Sequence, residues 1–426
     1  MRAYEEYKKI GLPWLEEIPA HWKVVRNKNV LTSETETVGN ESHKYQLLSL
    51  SQHGVIIRDV ESGKGKFPKE FDTYKIVKPN RVIFCLFDMD ETPRTVGLSS
   101  HHGMITGAYD VFCVSGVNEK YLYYYYLALD NVKALKPLYT GLRKVISSDR
   151  FLSMSLPLPP REEQDAIVRF LDAKCAKIDS LIKLKERQIE LLNEKKQNII
   201  NQAVTKGLDP HAPMKDSGVD WIGDIPKEIV ISRVGLHYEV ILGKMLCPSK
   251  QAENFSLEPY YCAANVHFEG ISSENLKEMW FSPEEKIKYT VQQNDLLIVE
   301  GGAGAGGCAI VTSETPKACI QNSIMIVRNP DGETRYLGYL IESLVRRGYI
   351  DFVCQKATIP HFTKEKLCAV PYPVFSKEER CRIADYLDNI TTSYQRKTRL
   401  VQKEISILQE YKTRIISDVV TGKIAI

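Results

Sequence analysis

Six consecutive residues, Gly302-Ala303-Gly304-Ala305-Gly306-Gly307, satisfy the spacing G-x-G-x-x-G, in which glycines bring a backbone close to a pyrophosphate. That chemistry also needs a helix N-terminus after the glycines to receive the charge. Here Cys308-Ala309-Ile310-Val311 follows, which reads as a strand, and no Lys-Ser or Lys-Thr follows to make a P-loop. The stretch is expected to be a tight turn between strands. A backbone kept bare for close approach to a phosphate or base is the lesser reading. Asp88-Met89-Asp90-Glu91 gathers three carboxylates, the material of a metal site, but without visible partners it reads as a solvated acidic loop. His101-His102 has no nearby Cys and no H-x-x-x-H spacing. Glu284-Glu285-Lys286 echoes a nuclease E-x-K without the preceding Pro-Asp. G-x-S-x-G, Asn-Pro-Pro-aromatic and Asp-Pro-Pro-Tyr do not occur, so neither a hydrolase elbow nor the base-holding loop of an adenine methyltransferase is present. By elimination the pattern is that of a protein that recognises rather than catalyses.

Candidates for nucleic-acid contact are loops that combine cations with an aromatic. Lys64 and Lys66 precede Phe67-Pro68-Lys69 in a basic turn. Arg143 and Lys144 sit in a Gly-led loop just before a Pro-x-Pro, and Lys356, Thr358, His361 and Lys364 hold the corresponding place later in the chain. Arg346-Arg347 ends a predicted helix. Against each stands the plain reading of a solvated surface residue. Net charge does not decide between them. Residues 1–156 carry 21 Lys+Arg against 18 Asp+Glu, a balance of +3, and residues 208–375 carry 16 against 21, a balance of −5. Only clustering within loops can carry the DNA argument.

The elements that must position these loops are legible as a duplication. Gly11-Leu12-Pro13-Trp14-Leu15-Glu16-Glu17-Ile18-Pro19 recurs as Gly218-Val219-Asp220-Trp221-Ile222-Gly223-Asp224-Ile225-Pro226, and Leu156-Pro157-Leu158-Pro159 recurs as Val370-Pro371-Tyr372-Pro373. From Glu162 to Thr205 the match to Glu378–Thr421 is ungapped, and 14 of the 44 pairs are identical, far above chance. The chain is therefore one unit used twice, a duplicated domain rather than a solenoid. The expected organisation is 1–160 and 208–375 as globular regions, with 161–207 and 376–426 as helical regions. In the globular parts, strands are predicted at Tyr45–Leu50, Val82–Phe87 and Val111–Val114, with counterparts Tyr260–Val266, Asp295–Val299 and Ile324–Val327. Asn118–Leu129 and Arg335–Val345 read as helices. The fold class is α+β, with mixed domains.

After each Pro-x-Pro comes a long apolar stripe. Ile178, Ile182, Lys185, Ile189, Leu192, Lys196, Ile199 and Ala203 alternate spacings of four and three, and Tyr394, Thr398, Val401, Ile405, Leu408, Lys412, Ile415 and Val419 repeat that register. This is a heptad seam, and the two helices are natural partners as an antiparallel coiled coil. An ordinary amphipathic helix packed on its own domain is the alternative. Lys185, Lys196 and Lys412 interrupt the seam and either snorkel or fix the pairing. Thirty helical residues span about 45 Å, or about 13 base pairs of duplex. An antiparallel pair would give the repeats an approximate two-fold axis, as a duplex has.

Composition agrees. The chain has 426 residues, a net charge of +3, 43% hydrophobic and 26% charged residues, which fits two or three folded domains and excludes a disordered chain. There is no run of eighteen apolar residues and no signal-peptide core, which points to the cytoplasm. The ten cysteines lack C-x-x-C spacing and read as buried thiols.

With these residues in view, the chain resembles the specificity subunits of type I restriction–modification systems. The resemblance is carried by Pro157-Leu158-Pro159-Pro160-Arg161-Glu162-Glu163-Gln164-Asp165-Ala166-Ile167 with Phe170-Leu171-Asp172, and by the degenerate second copy Pro371-Tyr372-Pro373-Val374-Phe375-Ser376-Lys377-Glu378-Glu379-Arg380. It implies two target recognition domains, each reading a few base pairs of double-stranded DNA, separated by helices that set the gap of a bipartite asymmetric site. It implies docking of two adenine methyltransferase subunits, with a restriction subunit carrying translocase and nuclease left open as a further partner. S-adenosylmethionine, ATP and Mg2+ would be used by those partners and none bound by this chain, which would catalyse nothing. Recognition domains vary within the family, so no base-reading residue carries over by motif. The DNA-contact set remains Lys64, Lys66, Arg143, Lys144, Lys356 and His361, chosen by loop position. The competing readings are a nuclease acting alone with Asp88 and Asp90 as its metal site, and a coiled-coil scaffold with no DNA role.

Overall fold

The computed structural model describes residues 3–58, 70–140, 144–354 and 360–426. The chain divides into two compact units, Met1–Glu186 with Gln402–Ile426, and Arg187–Val401.

In the first unit an antiparallel sheet runs in the order Leu31–Glu34, Asp110–Val114, Val82–Phe84, Val96–Leu98. Its central strands are apolar at consecutive positions because both faces are covered. Val82, Phe84 and Phe112 face the main core, whereas Ile83 and Val111 face a smaller cluster with Leu48 and Ile105. The helix Glu119–Asn131 starts at Asn118, whose side chain accepts from the Lys120 and Tyr121 backbone N–H groups. The four-tyrosine run lies on this helix, with Tyr124, Tyr125 and Tyr126 buried.

The second unit repeats this topology. Its sheet order is Glu239–Leu242, Ile324–Arg328, Leu296–Val299, Cys308–Ile310. Leu296, Ile298, Met325 and Val327 face the helix-side core, and Leu297, Val299, Ile324 and Ile326 face the other, so strand alternation again serves two cores. Arg335–Arg346 is the counterpart helix. Tyr260–Val266 is not one strand. The pairing ends at Tyr261, because the Asn265 side chain accepts from the Cys262 backbone N–H and turns the chain. Likewise Gly39–Lys44 is a 3-10 turn, so the first predicted strand begins only at Leu48. Val82–Phe87 pairs as a strand only to Phe84, beyond which Phe87 bridges to Val145.

The long helices are Arg161–Lys206 and Lys377–Val420. Ser376 caps the second through its Oγ and the Glu379 N–H, 3.2 Å. They pair antiparallel. Within the first unit Lys412 donates to Asp179 at 2.7 Å and Lys185 pairs with Glu404 at 2.7 Å, so two seam lysines answer carboxylates of the other helix. Ile178, Val401, Ile415 and Val419 are buried, and Ile182, Ile189, Leu192, Ile199, Ile405 and Leu408 are half-buried, between exposed neighbours.

Each core is completed by a helix end distant in sequence. Ile415, Ile416, Val419 and Val420 pack with Trp22, Tyr121 and Leu171. Ile200, Ala203 and Val204 do the same with Tyr336, Ile383 and Leu387.

Candidate nucleic-acid interface

Each sheet has two ends of different character. One end meets the start of a long helix and is tied down by a constellation that occurs in both units. Tyr121 Oη donates to the Pro157 carbonyl at 3.1 Å, and Tyr336 Oη to the Val204 carbonyl at 2.7 Å. Tyr124 Oη donates to Asp172 at 2.7 Å, as Tyr339 does to Asp388 at 2.7 Å. Burial first, and these carboxylates second, push both phenols up. Lys120 pairs with Asp172, and Arg335 pairs with Asp388. In the first box, Glu163 accepts from Trp22 Nε1 at 3.0 Å, and buried Gln164 bridges the Asn118 N–H and the Pro159 carbonyl, both at 2.8 Å. In the second box Arg380 takes the glutamine's place. It donates to the Phe375 carbonyl at 2.9 Å and pairs with Asp331, which supplies the countercharge the first copy does not need. Every one of these groups is engaged with protein, so this end is scaffolding.

The opposite end carries loops. In the first unit these are 35–38, 85–95 and 106–109, because strands 31–34, 82–84, 96–98 and 110–114 are all antiparallel neighbours. The loop holding Lys144 docks there: the Asp88 N–H donates to the Lys144 carbonyl, and Phe87 bridges to Val145. Asp88 and Lys144 both have positive φ, 43° and 48°, a costly conformation held by this contact. Lys144 Nζ lies 2.7 Å from Glu91 and 3.3 Å from Asp90, which also accepts from Tyr139 Oη at 3.1 Å. Those hydrogen bonds raise the lysine. Burial pushes the Asp90 carboxyl up, yet the bonds from Tyr139 and Lys144 outweigh it and its pKa falls below the ordinary value. Asp88 and Glu91 are exposed, and Asp90 and Glu91 pair with Lys144, so the acidic loop is tied to the Lys144 loop; among the described residues no group of three His, Cys, Asp or Glu could hold a metal ion.

In the second unit the same end gathers 243–247, 262–265, 300–307 and the turn Gln321-Asn322-Ser323. Gly302–Gly307 is a turn between antiparallel strands. His361 bridges to Gly301, where a Cβ would stand 2.8 Å from its Nδ1, so the exposed imidazole lies directly over the bare backbone at that position. His361 and Lys144 therefore occupy corresponding loops. Lys64, Lys66, Arg143 and Lys356 lie outside the described residues. Arg346 and Arg347 are tied to Glu342 and to Asn201 with the Trp221 carbonyl. Sequence reasoning did not single out the turn at Gln321. Its signal was an amide pair wedged between the apolar runs Ala318-Cys319-Ile320 and Ile324–Val327.

Among the described residues no helix is long and apolar enough to cross a membrane. Residues 106–194 match the type I restriction modification DNA specificity domain family. The matched stretch runs from the loop before strand Asp110–Val114 through the Pro-x-Pro and box into the first long helix. The chain is 25% identical over 287 residues to the type I restriction enzyme MjaVIII specificity subunit of Methanocaldococcus jannaschii, covering 65% of this chain and 63% of that protein. It is 24% identical over 284 residues to the putative MjaX specificity subunit of the same organism, covering 66% and 62%. The chain thus spans just under two thirds of the length of these relatives. In fold it is similar to a chain from a solved type I R-M system, at TM-score 0.70 and 16% identity, covering 96% of this chain and 99% of that one. The HsdS subunit from Thermoanaerobacter tengcongensis is also similar, at TM-score 0.52 and 16% identity over 96% and 98%. By motif and by sequence the chain is similar to the specificity subunits of type I restriction–modification systems, and its fold is similar to that of the HsdS subunit.

Proposed function

We propose that this chain is the non-catalytic DNA-reading subunit of a type I restriction–modification complex, acting in the cytoplasm. The observation that carries the reading is a duplicated unit that offers the same loop-bearing sheet end twice, with the same tyrosine–carboxylate constellation engaged in protein contacts at the opposite end of each. The globular regions 1–160 and 208–375 are the two readers, and the helical regions 161–207 and 376–426 set the gap between two half-sites. Leu181, Leu184 and Ile407 in the first unit, and Leu191 and Leu400 in the second, are exposed apolar residues outside the seam. They support docking of two adenine methyltransferase subunits, and a restriction subunit is a further partner. Those partners would bring S-adenosylmethionine, ATP and Mg2+, and the methyltransferases would flip the target adenines.

The test is to co-express the chain with its neighbouring genes and read the methylated or protected sequence on duplex DNA. Two short blocks separated by a fixed gap are expected. Deleting one heptad from each long helix removes about 10 Å, so the gap should shorten by about three base pairs or recognition should be lost. A gap indifferent to helix length would refute the ruler. Absence of any sequence preference would favour the scaffold reading instead.

A further inference from the structure

The turn Gln321-Asn322-Ser323 is pinned on three sides. The Gln321 N–H donates to the Tyr261 carbonyl at 3.0 Å, the Asn322 N–H to the Lys244 carbonyl at 2.9 Å, and the Ser323 carbonyl accepts from the Glu300 N–H at 2.9 Å. Gly243 lies so close that a Cβ there would stand 2.4 Å from the Gln321 carbonyl oxygen. The backbone of the turn is therefore preset by three neighbouring strand ends.

Its side chains form a relay whose direction is fixed. The Ala263 backbone N–H can only donate, and it donates to Ser323 Oγ at 3.0 Å. Ser323 Oγ then donates to Gln321 Oε1, which also accepts from the Ser323 N–H at 3.1 Å. With its oxygen so engaged, Gln321 turns Nε2 outward and donates to Asn322 Oδ1. The amide of Asn322 is thereby oriented: Nδ2 keeps its hydrogens, and Oδ1 keeps a lone pair. No described residue takes either of them, and the side chain is half-exposed at the loop-bearing end of the sheet.

We infer that Asn322 is a base-reading residue of the second unit and that its base is adenine. A side-chain amide with one free donor and one free acceptor is the complement of adenine N7 and N6 in the major groove. Fixing the amide beforehand removes the entropy and the flip ambiguity that a free asparagine would carry into the complex. The first unit has no equivalent. Its corresponding residues are Thr106-Gly107-Ala108, and a Cβ at Gly107 would stand 2.4 Å from the Thr73 carbonyl oxygen. The two units thus differ at this place, with a side-chain amide in the second and no side chain in the first, as an asymmetric site would require.

This inference rests on the DNA-reading function proposed above, and the experiment separates the two. The full chain, co-expressed with its neighbouring genes, is used to select from randomised duplex DNA. Wild type should select a bipartite motif with one A·T pair that depends on Asn322. Asn322→Ala should relax that position alone, by about 10- to 100-fold in discrimination, with all other positions kept. Asn322→Asp still accepts from Gln321 but cannot donate to N7, so preference should move from adenine toward cytosine, whose N4 amino group a carboxylate accepts. That gain is readable even if the alanine variant folds poorly. If both variants select the wild-type motif unchanged, or if the position that relaxes is not adenine, the assignment of Asn322 is overturned. If wild type selects no motif at all, the DNA-reading function itself falls.

Discussion

Ile415 stands near the C-terminus on the second long helix, yet it belongs to the core of the first unit, with Trp22, Tyr121 and Val419. It is 3% exposed, so Ile415→Ala removes buried carbons and leaves a cavity. Such truncations cost about 2–5 kcal/mol. At 1.36 kcal/mol per decade, that is about 30- to 5,000-fold faster amide exchange wherever exchange requires the core to open. Hydrogen exchange read by mass spectrometry should show the acceleration in Val82–Phe84, Asp110–Val114 and Glu119–Asn131, none of which is near Ile415 in sequence. Ile407→Ala is the control, since Ile407 is 53% exposed on the same helix and its loss should stay within about 0.5 kcal/mol. If Ile415→Ala loosens only residues 402–426 and leaves the strands and the tyrosine helix protected, the helix end does not complete that core and the reasoning is wrong.

Gln164→Arg should destabilise the first unit by about 3 kcal/mol or more, because it buries a cation where Ser115 and Gly116 replace the Asp331 that answers Arg380, and a melt no lower than wild type would refute this. Asp90 has a depressed folded pKa, so its contribution is present above the ordinary carboxylate value of 3.8 and is lost as pH falls through the lower folded value. Carboxyl NMR should place its midpoint below 3.8 in wild type and higher in Lys144→Met, and a wild-type midpoint at or above 3.8 would contradict the cluster. Gly243→Ala drives a Cβ onto the Gln321 carbonyl. It should cost about 1–3 kcal/mol by overpacking and erase discrimination at the base assigned to Asn322, and a selected motif identical to wild type would show that the turn tolerates displacement.

The candidate interface was only partly legible in the sequence. Loop position picked out Lys144 and His361, and the structure places them in corresponding loops at the same sheet end. It could not tell that Lys144 is held by Asp90 and Glu91, because that pairing joins two loops more than fifty residues apart in sequence. Gln321, Asn322 and Ser323 carry no charge and match no motif. Their relay depends on an N–H from Ala263, a contact only the folded sheet creates.

The duplication, the two central strands of each sheet and the helix seam follow from residue order alone, because apolar periodicity is a local property that any compact structure must respect. Tyr121 and Tyr336, and Asp172 and Asp388, recur in step and so announce a shared role before any coordinate is known. What only the tertiary structure decided is which helix end closes which core. Val419 and Val420 seal the first unit and Ala203 and Val204 the second, because each sheet leaves an apolar face that its own following helix does not cover. Burial of that remaining face depends on the path of the whole chain, and no window of sequence contains it.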